Sequence, residues 1–245
     1  MIDFGLKYQA SIFLVANDIT PTPDTIKTFI DLFSDKGLVP NTFREISPGS
    51  PAPRGRLRLS SPNNEWNIKI ASTRIDIEKN PISLKENNLG NVNDFCLEVT
   101  DFFGRIISKF PKKANRVSLG TIFLLKEMAE PNLSNVYLKL FKPPEFYATY
   151  PPFEWNWRSA SRIPSIFEEF NETLNAITHI DRVRGEIGLN DEISFFNRIQ
   201  LSFDLNTSQE NAEYRFDINF ITAFYQEISA FHDDLVTKIT EFING

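Results

Sequence analysis

Arg56-Leu-Arg-Leu-Ser60, Ser61-Pro-Asn-Asn64 and Glu65-Trp-Asn-Ile-Lys-Ile70 read in succession as strand, turn and strand. Polar and apolar residues alternate on both sides of a turn-forming tetrapeptide, which is the local signature of a β-hairpin. The alternation sends Leu57, Leu59, Ile68 and Ile70 toward a core and leaves Arg56, Arg58 and Lys69 on a solvated side. Ile75 and Ile77 follow with the opposite parity to Ile68 and Ile70, so one unbroken strand would send the two pairs to opposite faces. A bulge or bend near Ala71-Ser72-Thr73 is expected to return both pairs to the core. Asp76 and Glu78 then lie about 6–7 Å apart on a charged outer face, as successive same-side residues of a strand do.

Upstream of the hairpin, Ser11-Ile-Phe-Leu-Val-Ala16 reads as a buried strand. From Thr22 the period changes to that of a helix, with Thr22 suited to the N-cap and Pro23 to the first helical position. Ile26, Phe29, Ile30 and Phe33 share its apolar face, Gly37 stops it, and Val39 to Ile46 returns toward a sheet edge. Three prolines and two glycines make residues 47–55 a loop. Downstream, Val92 to Phe110 carries a wide helical stripe that includes Phe95, Cys96, Val99, Phe102 and Ile106. Gly104 weakens that helix by about 1 kcal/mol relative to alanine, as a close packing contact or a tolerated irregularity. Cys96 sits inside the stripe and reads as a buried, inert thiol.

The pattern then begins again. Val117 to Leu125 is a strand, Leu133 to Phe141 a short helix, and three extended segments follow near Phe153 to Ile163, Thr178 to Gly185 and Arg198 to Leu205. A long amphipathic helix closes the chain, with Phe224, Ile228, Phe231, Leu235, Ile239 and Phe242 at three- and four-residue spacings. Both halves therefore read as strand, helix, three strands, helix. The expected class is α+β, with two similar lobes, residues 1–114 and 115–245, and a mostly antiparallel mixed sheet packed by long amphipathic helices. The peptides Glu65-Trp-Asn and Glu154-Trp-Asn match by chance, because their offset differs from that of the opening strands.

Composition narrows the chemistry. With 26 Lys and Arg against 32 Asp and Glu, the net charge of -6 disfavours long-range attraction to nucleic acid or anionic lipid. The 23 phenylalanines predict an aromatic core, and a single cysteine allows no internal disulfide framework. Met1-Ile-Asp-Phe4 lacks the features of a signal peptide, and the apolar runs at Ile12 to Val15 and Leu119 to Leu125 are too short to cross a bilayer. The expectation is a cytoplasmic protein with no membrane partner.

The opening Phe13-Leu-Val15, the strand Arg56-Leu-Arg-Leu-Ser-Ser61 and the terminal helix with Phe231-His232 are similar to a sporadically distributed family of uncharacterised bacterial α+β proteins. The resemblance implies bacterial, cytosolic occurrence and carries over no catalytic residue.

Candidate sites are few. His179 beside Asp181, at a strand edge, and His232 beside Asp233-Asp234 form no metal-ligand motif, so no metal and no cofactor is expected. The ten glycines make neither phosphate-loop nor dinucleotide fingerprint, and Ser72 and Ser161 lack the glycine-flanked elbow of a hydrolase serine. Arg54, Arg56, Arg58, Lys69 and Arg74, with Trp66 as an aromatic contact, form a basic sheet surface suited to a phosphate backbone or an acidic protein segment. The segment from Phe146 to Trp157 compresses aromatics between prolines and a strand: Tyr147, Tyr150, Phe153, Trp155 and Trp157 are candidate anchors for a partner. Phe153, Trp155 and Trp157 equally have the spacing of inward-facing strand residues. The leading expectation is a non-enzymatic interaction or scaffold protein in a bacterial multiprotein system, with a protein partner or a second copy as ligand. A nucleic-acid-binding module and an enzyme with a site between the lobes are the alternatives.

Overall fold

In the computed structural model, which describes residues 2–46, 52–83, 89–167, 170–189 and 192–245, nine strands build one sheet. They are β1 (Ile2–Phe13), β2 (Val39–Glu45), β3 (Arg54–Ser60), β4 (Trp66–Ile70), β5 (Arg74–Lys79), β6 (Arg116–Leu125), β7 (Trp155–Phe167), β8 (Phe170–Leu189) and β9 (Glu192–Thr207). The helices are α1 (Pro23–Leu32), α2 (Val92–Lys109), α3 (Glu130–Phe141), α4 (Glu145–Thr149) and α5 (Ile218–Asn244). The strand order is β2-β3-β4-β5-β1-β6-β9-β8-β7, and each neighbouring pair is antiparallel. The class is α+β, and the expected parallel component of a mixed sheet is absent among the described strands. Of the loop expected at 47–55, residues 47–51 lie outside the described residues, while Arg54 and Gly55 already belong to β3.

The hairpin forms as its alternation requires, with Leu57 opposite Ile70 and Leu59 opposite Ile68. The parity change at Ala71-Ser72-Thr73 is a chain reversal rather than a bulge. Ile70 pairs with Ile75 and Ile68 with Ile77, so all four isoleucines reach the core from two strands. A reversal with an even number of residues between paired positions, four between Ile70 and Ile75, accounts for the parity as well as an inserted residue does, and sequence periodicity alone does not distinguish them.

Thr22 caps α1 by accepting a hydrogen bond from the Thr25 amide, and Pro23 opens it. Gly37, at φ 62°, ends the following turn in the left-handed region that glycine adopts without cost. Phe29 and Phe33 are buried, but Ile30 is exposed, so the α1 face is narrower than its spacing suggests. In α2 no heavy atom lies within 4 Å of where a Gly104 Cβ would stand, which makes that glycine a tolerated irregularity and not a packing contact. Phe242 is likewise exposed, and Ile243 takes the inward position at the end of α5.

The helices attach to one face of the sheet through aromatic pairs. Phe95 of α2 meets Tyr8 and stacks on Trp66; Phe33, the residue that follows α1, packs edge-on to Phe102. Tyr225 of α5 stacks on Phe103, Phe224 meets Phe167, and Tyr137 of α3 meets Trp155. Each such pair adds about 0.5–1.5 kcal/mol beyond its buried area. Tyr225 is fully buried between α5 and the central strands, its hydroxyl 2.9 Å from the Ser118 carbonyl. The opposite face of β1, β5, β6, β8 and β9 bears most of the polar residues, among them Gln9, Ser11, Asp76, Ser118, His179, Ser202 and Asp204.

Candidate functional site

On β1 the residues Lys7, Gln9, Ser11 and Phe13 alternate with the buried Tyr8, Ala10 and Ile12, and so stand on the open face. Register carries this across the sheet: Gly120 lies between Gln9 and Asp204, Ser118 opposite Ser11, and His179 opposite Ser202. These residues, with Arg74, Arg116 and Ile122, line a cavity of about 320 Å³ over the β1–β6 seam.

Asp76 and Glu78 occupy the open face as their spacing predicts, yet both are buried rather than solvated, because neighbouring polar side chains close over them. Asp76 accepts from Ser11 Oγ at 2.6 Å and lies 2.9 Å from Arg74 Nε. Glu78 holds Lys7 at 2.7 Å and Lys69 at 2.9 Å. Burial pushes the Glu78 carboxyl up, but hydrogen bonds and charge from Lys69 and Lys7 bring it below the ordinary glutamate value. The two carboxylates thus act as anchors for cations.

The basic cluster does not assemble into one free surface. Arg56, expected on the solvated side, is 2% exposed; its Nε lies 2.8 Å from Glu45, an Nη lies 3.0 Å from Asn17 Oδ1, and Ser72 Oγ is also a partner. β2 supplies Glu45, the reversal at Ala71-Ser72-Thr73 supplies Ser72 and the segment after β1 supplies Asn17, so none of these partners comes from the strand of Arg56 itself. Arg58 donates to Asn67 Oδ1 at 3.1 Å, and Lys69 and Arg74 are paired with Glu78 and Asp76. Arg54 is exposed. Trp66 lies on the helix-covered face, stacked on Phe95, and is therefore separated from Arg58 and Lys69 by the sheet itself.

The aromatic segment divides. Trp155 is 8% exposed and packs between Tyr137 and Phe141 of α3; Trp157, two residues on, is partly buried against the same core. Tyr147 and Tyr150 are exposed on and just after α4, where both contact the exposed ring of Phe146 at centroid distances of 5.3 and 5.4 Å. Phe153 is 63% exposed, with the Arg184 guanidinium 5.6 Å from its ring centre.

That arginine belongs to a feature the sequence reading missed. β8 pairs with β7 only as far as Arg182, and β9 with β6 only as far as Gln200, so beyond these points the two strands pair solely with each other. Phe195, the most exposed large apolar residue of the chain's described part, lines a hollow on this overhanging hairpin with Phe153, Arg184 and Phe196. Ile193-Ser-Phe195 carries the alternation of a strand, and this signal was available in the sequence.

His179 stands mid-sheet on the open face, not at an edge, because β7 lies outside β8. His232 is buried, its Nε2 2.8 Å from Thr121 Oγ1 and its Nδ1 3.1 Å from Asp233. Cys96 is buried as expected; burial first and Asp233 second push its thiol up to about 12. Among the described residues no three His, Cys, Asp or Glu side chains are placed to hold a metal ion, and no helix is long and apolar enough to cross a membrane. No protein-family model matches the chain, and no curated protein is significantly similar to it in sequence.

Proposed function

We propose that this chain is a non-enzymatic interaction or scaffold protein, a component of a bacterial cytosolic multiprotein system, that grips a protein partner with the aromatic end of its sheet. The observation that carries the reading is the exposure of Phe146, Tyr147, Tyr150, Phe153 and Phe195, five rings whose own fold leaves them in water. Exposed aromatics gathered near one end, with an arginine among them, have the composition of interface anchors. The overhanging β8–β9 hairpin extends the contact surface beyond the sheet. Tyr147, Tyr150 and Phe153 are the anchors kept from the sequence reading, whereas Trp155 and Trp157 pack against the core.

The nucleic-acid alternative is weaker, because pairing of Arg56, Lys69 and Arg74 with carboxylates leaves less charge for a phosphate backbone. The enzyme alternative retains the open-face cavity as its place. We also read the chain as an internal duplication of lobes 1–114 and 115–245. The supporting pattern is β1 and β6 adjacent at the centre, β5 and β9 flanking them, and α2 and α5 closing each half.

The test compares wild type with a Tyr150→Ser, Phe153→Ser, Phe195→Ser variant. A partner purified in complex with the wild type, or a second copy detected by sedimentation, should bind the variant more weakly by about 2 kcal/mol or more. Undiminished binding by a folded variant, or a wild type that is monomeric and without a reproducible partner, would sink the reading.

A further inference from the structure

Three cationic side chains reach the cavity over the β1–β6 seam, and their surroundings treat them unequally. Lys7 is held by Glu78 at 2.7 Å and Arg74 by Asp76 at 2.9 Å. Arg116 has no carboxylate within 4.0 Å among the described residues. Its guanidinium lies 3.8 Å from the Phe13 ring centre, and Nη1 donates to Gln209 Oε1 at 3.1 Å. Its Nε is buried with no acceptor. Burial lowers the Arg116 pKa; the charge of Asp204 opposes that shift and the charge of Arg74 adds to it. A half-buried cation with no carboxylate in contact is costly, and an anion arriving beside it offsets the cost.

We infer that this cavity binds a small phosphate-bearing molecule, with Arg116 as the principal cation. Arg116, Arg74, His179, Ser118 and Ser202 all line it, which is more donors than a planar carboxylate engages and suits the several oxygens of a tetrahedral phosphate. Asp204, on the same wall, accepts from a hydroxyl or amine on the rest of the ligand. Gly120 leaves the floor open: a Cβ there would meet nothing closer than 3.8 Å, and its φ is not in the left-handed region. A Cβ at this position therefore enters open space without backbone strain, and a branched side chain there takes up part of the cavity. The volume of about 320 Å³ is at the small end for ligand sites. This inference is independent of the aromatic end.

Inorganic phosphate is titrated into the full chain at constant ionic strength and followed by backbone amide NMR shifts. Saturable shifts centred on Gly120, Ser202 and Asp204 are expected, with a Kd of about 1 mM or tighter. Both Arg116→Gln and Gly120→Val should weaken binding about tenfold or more, the first by removing charged hydrogen bonds and the second by occupying the cavity. Acetate, a single planar carboxylate, should bind several-fold more weakly than phosphate. Gly120→Val keeps the test open if Arg116→Gln does not fold. The inference is overturned by lack of saturation at about 10 mM phosphate, by acetate binding as tightly, or by unchanged phosphate affinity in either variant whose amide spectrum remains native.

Discussion

Replacing Trp155 by alanine separates the two roles that its sequence neighbourhood allows. The indole is 8% exposed and wedged against Tyr137 and Phe141, with ring centroids 6.1 and 5.7 Å away. Truncation removes roughly 150 Å² of buried apolar surface, which at about 25 cal/mol per Å² corresponds to about 4 kcal/mol. Large aromatic truncations in cores cost about 3–5 kcal/mol. Trp155 begins an edge strand, where α3 is free to settle toward the gap, so the lower half of that range, about 3–4 kcal/mol, is expected. Phe153→Ala, two residues earlier on an exposed ring, should change stability by no more than about 0.5 kcal/mol. Urea unfolding followed by far-ultraviolet circular dichroism measures both, with the m-value checking that the unfolded state is unchanged. A loss below about 1 kcal/mol for Trp155→Ala, or equal losses for the two variants, would refute the packing assigned to this end of the sheet.

Other expectations follow from the ion pairs and the thiol. Arg56→Ala should cost about 3 kcal/mol or more in the same assay, since it leaves Glu45 and Ser72 without their buried partner, whereas Arg54→Ala should be within about 0.5 kcal/mol of wild type. The carboxyl of Glu78 titrates lower in the folded chain than its ordinary value of 4.5, despite its burial. Its stabilising contribution is therefore present above pH 4.5 and lost as pH falls through the depressed folded value, so Glu78→Gln should flatten the acid limb of a stability–pH profile. A steep acid limb retained by that variant would assign the effect to other groups. Cys96, with its thiol pushed up to about 12, should resist a water-soluble disulfide reagent at pH 8 in the native protein and react once unfolded. Rapid labelling of the native chain would contradict its burial.

Where periodicity and end signals were strong, the sequence was legible to within a few residues. Val92 to Phe110 became α2, ending at Lys109, and the terminal stripe became α5. The same logic failed at Ala71-Ser72-Thr73, where a reversal and a bulge produce the same change of parity. It also stopped short of the shared overhang of β8 and β9, where Ile193-Ser-Phe195 alternates as a strand does but Ile193 and Phe195 pack on no core. The site was less legible than the fold. Arg56 reads locally as a solvated strand residue and is buried by Glu45, Asn17 and Ser72, none of which its own strand supplies. Arg116 carries no local mark at all; only the meeting of β1, β6 and β9 sets it beside the cavity.

Hydrophobic period, caps and turn residues by themselves placed α1, α2, α5 and the β3–β4 hairpin, though not α4, and the small stock of histidine and cysteine bounded the chemistry. These are local properties, fixed by backbone sterics and by which side chains must leave water together. Tertiary structure alone decided which polar residues share a face, which charges neutralise one another, and which aromatics stay outside. Those outcomes depend on strand order and register, and pairings such as Lys7 with Glu78 join residues distant in the chain. Phe153 and Trp155 make the division concrete: both suit either core or interface by type and spacing, and only the position of α3 over one of them separates packing from exposure.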